Sequence, residues 1–225
     1  MKAKTYYIIL AGICVILLAT PQARALERQD FSMVPTTNDG APWRVAYIEG
    51  GPYSNYYNYL YATIQGLMDL GWIKDTPIPR DDLERTTQLW SWLCKEADSP
   101  YIQFLDDAYY TANWDKEARV SVAEKLIRRL NDHRKIDLVI AMGSWAGKDL
   151  ANDRHRTPTV IMSTSDPVGS GIIKSVEDSG YDNVHARVDP SRYKRQIEIF
   201  HDLVGFKRLG IAYEDSVIRE NLCGR

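Results

Sequence analysis

Brief apolar runs alternate with longer helical patterns along this chain. Residues 43–49 (WRVAYIE), 101–105, 137–142 and 158–163 are short and rich in branched or aromatic side chains, with Gly, Pro or polar residues at their ends. Such runs read as strands buried on both faces. A helix to about residue 70 follows the first, with Leu60, Ile64, Leu67 and Met68 at helical spacing, Ser54 or Asn55 as cap and Gly71 as its stop. A second long helix starts at Asn113 or Asp115 and runs to about Asn131, with Val122, Leu126, Ile127 and Leu130 on one side. A short helix is expected over 146–152. Residues 72–100 are harder to read: 72–78 suits a strand, and 83–95 a helix carrying Trp90 and Trp92. Strands alternating with helices predict a parallel, doubly wound α/β sheet.

After Gly171 the pattern restarts. Residues 183–188 and 207–213 read as strands, with a helix over 191–203 between them, Asp189 as its cap and Ile197, Phe200 and Leu203 along one side. Two strands and one helix cannot cover both faces of a sheet, so 172–225 reads as the opening of a second, incomplete lobe. The expected organisation is a signal segment over 1–25, an arm over 26–42, a first lobe over 43–171 and the start of the second over 172–225.

In open α/β sheets the carboxyl ends of the strands form the ligand crevice. Gly143-Ser144-Trp145-Ala146 and Ser163-Thr164-Ser165-Asp166 are therefore expected as strand-end loops beside a small molecule. Gly50-Gly51-Pro52 ends the first strand the same way and leads into a run of tyrosines. Tyr53 and Tyr56 suit either a pocket wall or helix packing; Tyr57, Tyr59 and Tyr61 suit packing. Trp145 at a strand end reads as a pocket residue. Ser54, Ser144 and Ser165 lie in no nucleophile elbow, and they read as hydroxyls that hold a polar ligand group near helix N-termini. Asp166, before Pro167, suits either a ligand amine or the fixing of the turn.

Charge and composition narrow the function. Residues 1–25 carry Lys2 and Lys4, an apolar run and Ala23-Arg24-Ala25, the pattern of a cleaved secretory signal, with an uncleaved N-terminal anchor as the other reading. Cleavage removes Lys2, Lys4 and Arg24 and no acid, which takes the formal net charge from −2 to −5. An acidic chain with no basic stripe is a poor nucleic-acid binder. His133, His155, His185 and His201 are scattered and read as surface or helix-end residues; no metal-ligand spacing and no cofactor motif is present. Cys14 lies inside the signal. Spacing alone does not pair Cys94 with Cys223, which lies near the end of the chain.

Several stretches resemble one family. TPTVIMSTSDPVGSGII (157–173) resembles the strand and "DPVG.G" turn leading out of the first lobe in ABC-transporter substrate-binding proteins of the type I periplasmic-binding fold. RVAYIEGGPYSNYYNYLYATIQGLMDLGWI (44–73) is similar to that family's first strand, binding turn and helix. IDLVIAMGSWAGKDL (136–150) is similar to its third strand and ligand loop, and YKRQIEIFHDLVGFKRLGIAYED (193–215) to its second-lobe helix and strand. The chain departs from the family where Gly180-Tyr-Asp-Asn-Val-His-Ala stands in place of a Gly-Asn-Val-Thr-Gly turn, and it is expanded over 74–100. A full member continues for on the order of 100 residues more, to complete a second lobe of ordinary domain size.

The resemblance implies two Rossmann-like lobes with parallel sheets. It implies an exported, non-enzymatic protein that captures a small polar or aromatic-bearing solute and hands it to membrane permease subunits. The ligand-binding candidates are Gly51, Tyr53, Ser54, Tyr56, Ser144, Trp145, Thr164, Ser165 and Asp166 in the first lobe, with Arg187, Tyr213 and Glu214 from the second. The alternatives are the extracytoplasmic sensing domain of a receptor and an exported hydrolase. Signal cleavage predicts Leu26 as the mature N-terminus, read by N-terminal sequencing of the exported protein; a membrane-bound chain still starting at Met1 contradicts it.

Overall fold

In the computed structural model, residues 32–79, 85–132 and 135–210 are described. Five strands form one parallel sheet in the order β2-β1-β3-β4-β5: β1 Trp43–Glu49, β2 Ile102–Thr111, β3 Leu138–Met142, β4 Thr159–Met162 and β5 Val184–Ala186. Helices α1 (Ser54–Asp69) and α2 (Thr86–Glu96) pack on one face, and α3 (Lys116–Asn131) and α4 (Gly143–Leu150) on the other. The α5 helix (Arg192–Val204) follows β5. This is the doubly wound α/β arrangement the alternation predicts, with its switch point between β1 and β3.

Both faces of the sheet are dry, which explains the short, continuously apolar strands. Alternate residues of β1 divide between two cores: Val45 and Tyr47 join Leu60, Ile64, Leu89 and Trp90, whereas Ala46 and Ile48 join Leu126, Ile127 and Leu150. At the amino edge Arg44 clamps β1 to β3, its Nε and Nη2 donating to the two Asp137 carboxylate oxygens at 2.8 and 3.0 Å. Asp115 caps α3, its Oδ1 accepting from the Glu117 and Ala118 amides. Gly71 ends α1 in the left-handed region at φ 75°. α1 itself starts at N-cap Tyr53 with no side-chain cap, so neither Ser54 nor Asn55 fills that role.

Several elements depart from the sequence reading. Residues 72–78 form no strand; Ile73 and Ile78 are buried in coil. β2 runs six residues past Leu105, because the exposed Asp106-Asp107 pair interrupts the apolar run where the strand bulges before pairing resumes at Tyr109. α4 begins at Gly143, so Gly143–Ala146 is the helix's first turn and not a loop. The strand expected to open a second lobe is β5, which pairs with β4 and extends the first sheet past residue 171. α5 buries none of its residues, and Ile197, Phe200 and Leu203 are exposed. His155 is a core residue: Leu150 O and Asn183 Nδ2 meet its two ring nitrogens at 3.1 and 3.3 Å, and burial lowers its pKa. His185 and His201 are exposed, whereas His133 lies outside the described residues. Cys94 is a free thiol, and Cys223, the signal segment and residues 211–213 of the last expected strand lie outside the described residues. No helix among the described residues is long and apolar enough to cross a membrane.

β1 ends on a buried carboxyl. Glu49 is 2 % exposed and accepts a hydrogen bond from Tyr47 Oη at 3.0 Å. Burial raises its pKa above the ordinary 4.5. A carboxyl raised in the folded state favours folding while protonated, and that contribution is lost as pH rises through the folded value. Glu49→Gln keeps an oxygen for Tyr47 and removes the loss. The melting temperature of the variant should therefore gain on wild type between pH 4 and pH 8, and a gap independent of pH contradicts this.

Candidate ligand-binding cleft

Four strand ends meet around the switch point and leave a cleft of about 520 Å³. Tyr53 and Tyr56 come from the turn after β1 and the start of α1, and Trp114 from the turn after β2. Ser144 and Trp145 come from the first turn of α4, and Ser163, Ser165, Asp166 and Ser170 from the loop after β4. Tyr193, in the first turn of α5, completes the lining.

The aromatic wall is built on bare backbone. A Cβ at Gly51 would lie 2.6 Å from Trp114 Cδ1, and one at Gly143 would lie 1.9 Å from Tyr56 Oη. Gly143 also holds φ 84°, a conformation open to glycine. Trp114 is stitched to the β1 turn at both ends: its amide donates to Gly50 O at 2.8 Å and its indole Nε1 to Pro52 O at 3.0 Å. Trp114 and Ser163, both on the cleft, hold φ 63° and 55°. Each such non-glycine residue costs about 1–2 kcal/mol, and strain of this kind concentrates where a surface is shaped for a ligand.

The rings form a continuous chain. Tyr53 meets Tyr56 edge to face at 5.1 Å, Tyr56 leans on Trp114 at 6.2 Å, and Trp114 meets Trp145 edge to face at 5.5 Å. Behind them, the Arg119 guanidinium lies 4.8 Å from the Trp145 ring centroid. Arg119 is fixed in turn by Asp149, with Nε to Oδ2 at 2.8 Å and Nη2 to Oδ1 at 2.7 Å. In the loop after β4, Asp166 Oδ1 accepts from the Gly169 amide at 2.7 Å and closes the Asp-Pro-Val-Gly turn. Burial, then the charge of Glu49, push the Tyr56 hydroxyl up to about 12.

Six residues expected at the site line this cleft: Tyr53, Tyr56, Ser144, Trp145, Ser165 and Asp166. Gly51 supports it from beneath as the seat of Trp114. Ser54 faces a neighbouring hollow of about 300 Å³ with Glu49 and Thr86. Thr164 is half-buried and does not line the cleft, its hydroxyl without a hydrogen-bond partner among the described residues. Arg187 is exposed and donates to Tyr59 Oη at 3.3 Å, lying over that ring and not over the cleft. Tyr213 and Glu214 lie outside the described residues. Trp114, Ser170 and Tyr193 were not expected, and Ser163 was expected only as part of its strand-end loop. The signal for Trp114 was its place just after a strand, hidden because β2 was read as ending at Leu105.

A parallel, doubly wound sheet with an aromatic and hydroxyl-lined crevice at its switch point is an α/β fold of the kind whose strand-end crevice commonly seats small ligands. The chain belongs to the ABC transporter substrate binding protein family, whose model matches residues 95–220. No curated protein matches the chain. Similar solved structures include a conserved domain protein from Vibrio cholerae, 19 % identical, with TM-score 0.45 over 72 % of this chain and 44 % of that one. An ABC domain in complex with L-Trp from Streptococcus pneumonia is 16 % identical, with TM-score 0.43 over 72 % of this chain and 43 % of that one. The ligand-free, open structure of a substrate binding protein with adhesive properties from Clostridium difficile is 16 % identical, with TM-score 0.46 over 79 % of this chain and 59 % of that one. The chain thus spans between 43 % and 59 % of the length of these structures.

The Gly143 contact is directly testable. Gly143→Ala should lower stability by about 1–2 kcal/mol for the left-handed backbone alone, and further by displacing Tyr56. Urea unfolding and near-UV circular dichroism read both effects. An unchanged midpoint and aromatic spectrum contradict the packing described.

Proposed function

We propose that this chain is the solute-capturing component of an ABC importer, exported by its N-terminal signal, and that the cleft of Trp114 and Trp145 is the first-lobe half of its binding site. The observation that carries this reading is the cleft itself: four linked rings face serine hydroxyls across about 520 Å³, at the switch point of the sheet, in a member of this family. A cavity of that size suits a small solute. Flat apolar parts would rest on the rings, and polar groups would be held by hydroxyls and Asp166. Residues 43–186 would form one lobe of a type I fold, and the chain beyond Arg187 would lead into the other. Tyr193 lines the cleft from that side and would meet the solute as the lobes close by hinge motion. Presentation of the closed form to membrane permease subunits would complete the cycle.

The reading is tested by a thermal-shift screen of the purified chain against amino acids, amines and small aromatic solutes, followed by calorimetric titration of each hit. Trp145→Ala should weaken binding of a hit by about five- to ten-fold, since a stacked ring contributes on the order of 1 kcal/mol. Its unfolding midpoint should change little. Retained affinity together with a loss of several kcal/mol in stability would make Trp145 a core residue and contradict the assignment.

A further inference from the structure

We infer that the part of the solute resting on this wall is an organic cation, an ammonium group, held between the aromatic rings and the Asp166 carboxylate. The inference rests on the solute-binding reading and adds a charge class to it. Asp166 is the one charged side chain among the described residues lining the cleft, and no Lys, Arg or His lines it. Arg119 is not a lining residue; it lies against the Trp145 ring, and its Nε and Nη2 are held by Asp149. An anionic group entering here would lose its water and meet no compensating cation.

A cation meets the reverse situation. The faces of Trp and Tyr attract positive charge through the ring quadrupole, more strongly where water is excluded. Four such rings are linked in this wall. Asp166 spends Oδ1 on the Gly169 amide, and no hydrogen bond reaches Oδ2 among the described residues. Serine hydroxyls and Tyr53 can accept the remaining N–H groups of an ammonium. The rings and the carboxylate line one cleft of about 520 Å³, a space in which a single small cation can meet both.

Three probes of similar shape separate the possibilities: 2-phenylethylamine (cation), phenylacetamide (neutral) and phenylacetate (anion). Each is titrated into the full chain and followed by tryptophan fluorescence at low and high salt. The amine should bind most tightly and the acetate most weakly, with about ten-fold between them, and the gap should shrink as salt rises. Asp166→Asn keeps an oxygen for the Gly169 amide and so preserves the turn, which far-UV circular dichroism verifies. In this variant the amine should lose its advantage over the amide. Equal or tighter binding of the acetate, or an amine preference that survives in Asp166→Asn, overturns the inference and leaves the solute-binding reading standing. If none of the three binds while a neutral or anionic screening hit does, the cation inference again falls alone. If neither the probes nor any screened solute binds, the solute-binding reading falls with it.

Discussion

The site depends on backbone stripped of side chains at the ends of β1 and β3. Large rings can shape a cleft only if something holds them, and here the holder is main chain. Trp114 lies on Gly50 and Gly51 at distances no Cβ would permit, and the Tyr56 hydroxyl lies over Gly143. Close approach of this kind is what glycine makes possible. It also joins the loops: the two hydrogen bonds from Trp114 to Gly50 and Pro52 tie the end of β2 to the end of β1. From that seat Trp114 meets Trp145, which Arg119 and Asp149 brace from behind. A bulkier residue at any of the three glycines would shift rings rather than a single side chain.

Much of this was legible in the sequence. A sheet buried on both faces leaves short apolar strands, so β1, β3 and β4 stand out, and the strand-end rule then points to Tyr53, Tyr56, Ser144, Trp145, Ser165 and Asp166. What failed did so for identifiable reasons. Asp106 and Asp107 break the apolar run of β2 at a bulge, so the strand was cut short and Trp114 with it. Ser163 belongs to a loop that was recognised, but its left-handed backbone, which turns it to the cleft, leaves no mark on a serine. Tyr193 lies 24 residues beyond the end of the DPVG turn at Gly169, and only the course of the chain after β5 brings it near. β5 itself is three residues long, too short for its pattern to show which sheet it joins.

The two carboxyls near the cleft act differently. Glu49 is buried beneath the aromatic wall, and its environment favours the protonated form. Asp166 lines the cleft, and one of its oxygens shapes the turn by accepting from the Gly169 amide. The division gives a wall that is apolar at its centre and negative at its rim. A solute captured on such a surface would be held by ring contact and selected by charge. The second cavity, about 380 Å³ among Trp43, Leu67, Trp72 and Phe104, lies toward the other end of the strands, and its one carboxyl, Asp137, is paired with Arg44.

The placement of tryptophans makes the central claim measurable in one experiment. The chain has six, and each indole N–H gives its own NMR resonance. Titrating the isotope-labelled protein with a solute found by screening should shift the Trp114 and Trp145 indole signals and leave those of Trp43 and Trp72 in place. Shifts confined to Trp43 and Trp72 would move the binding site to the apolar cavity and contradict the account.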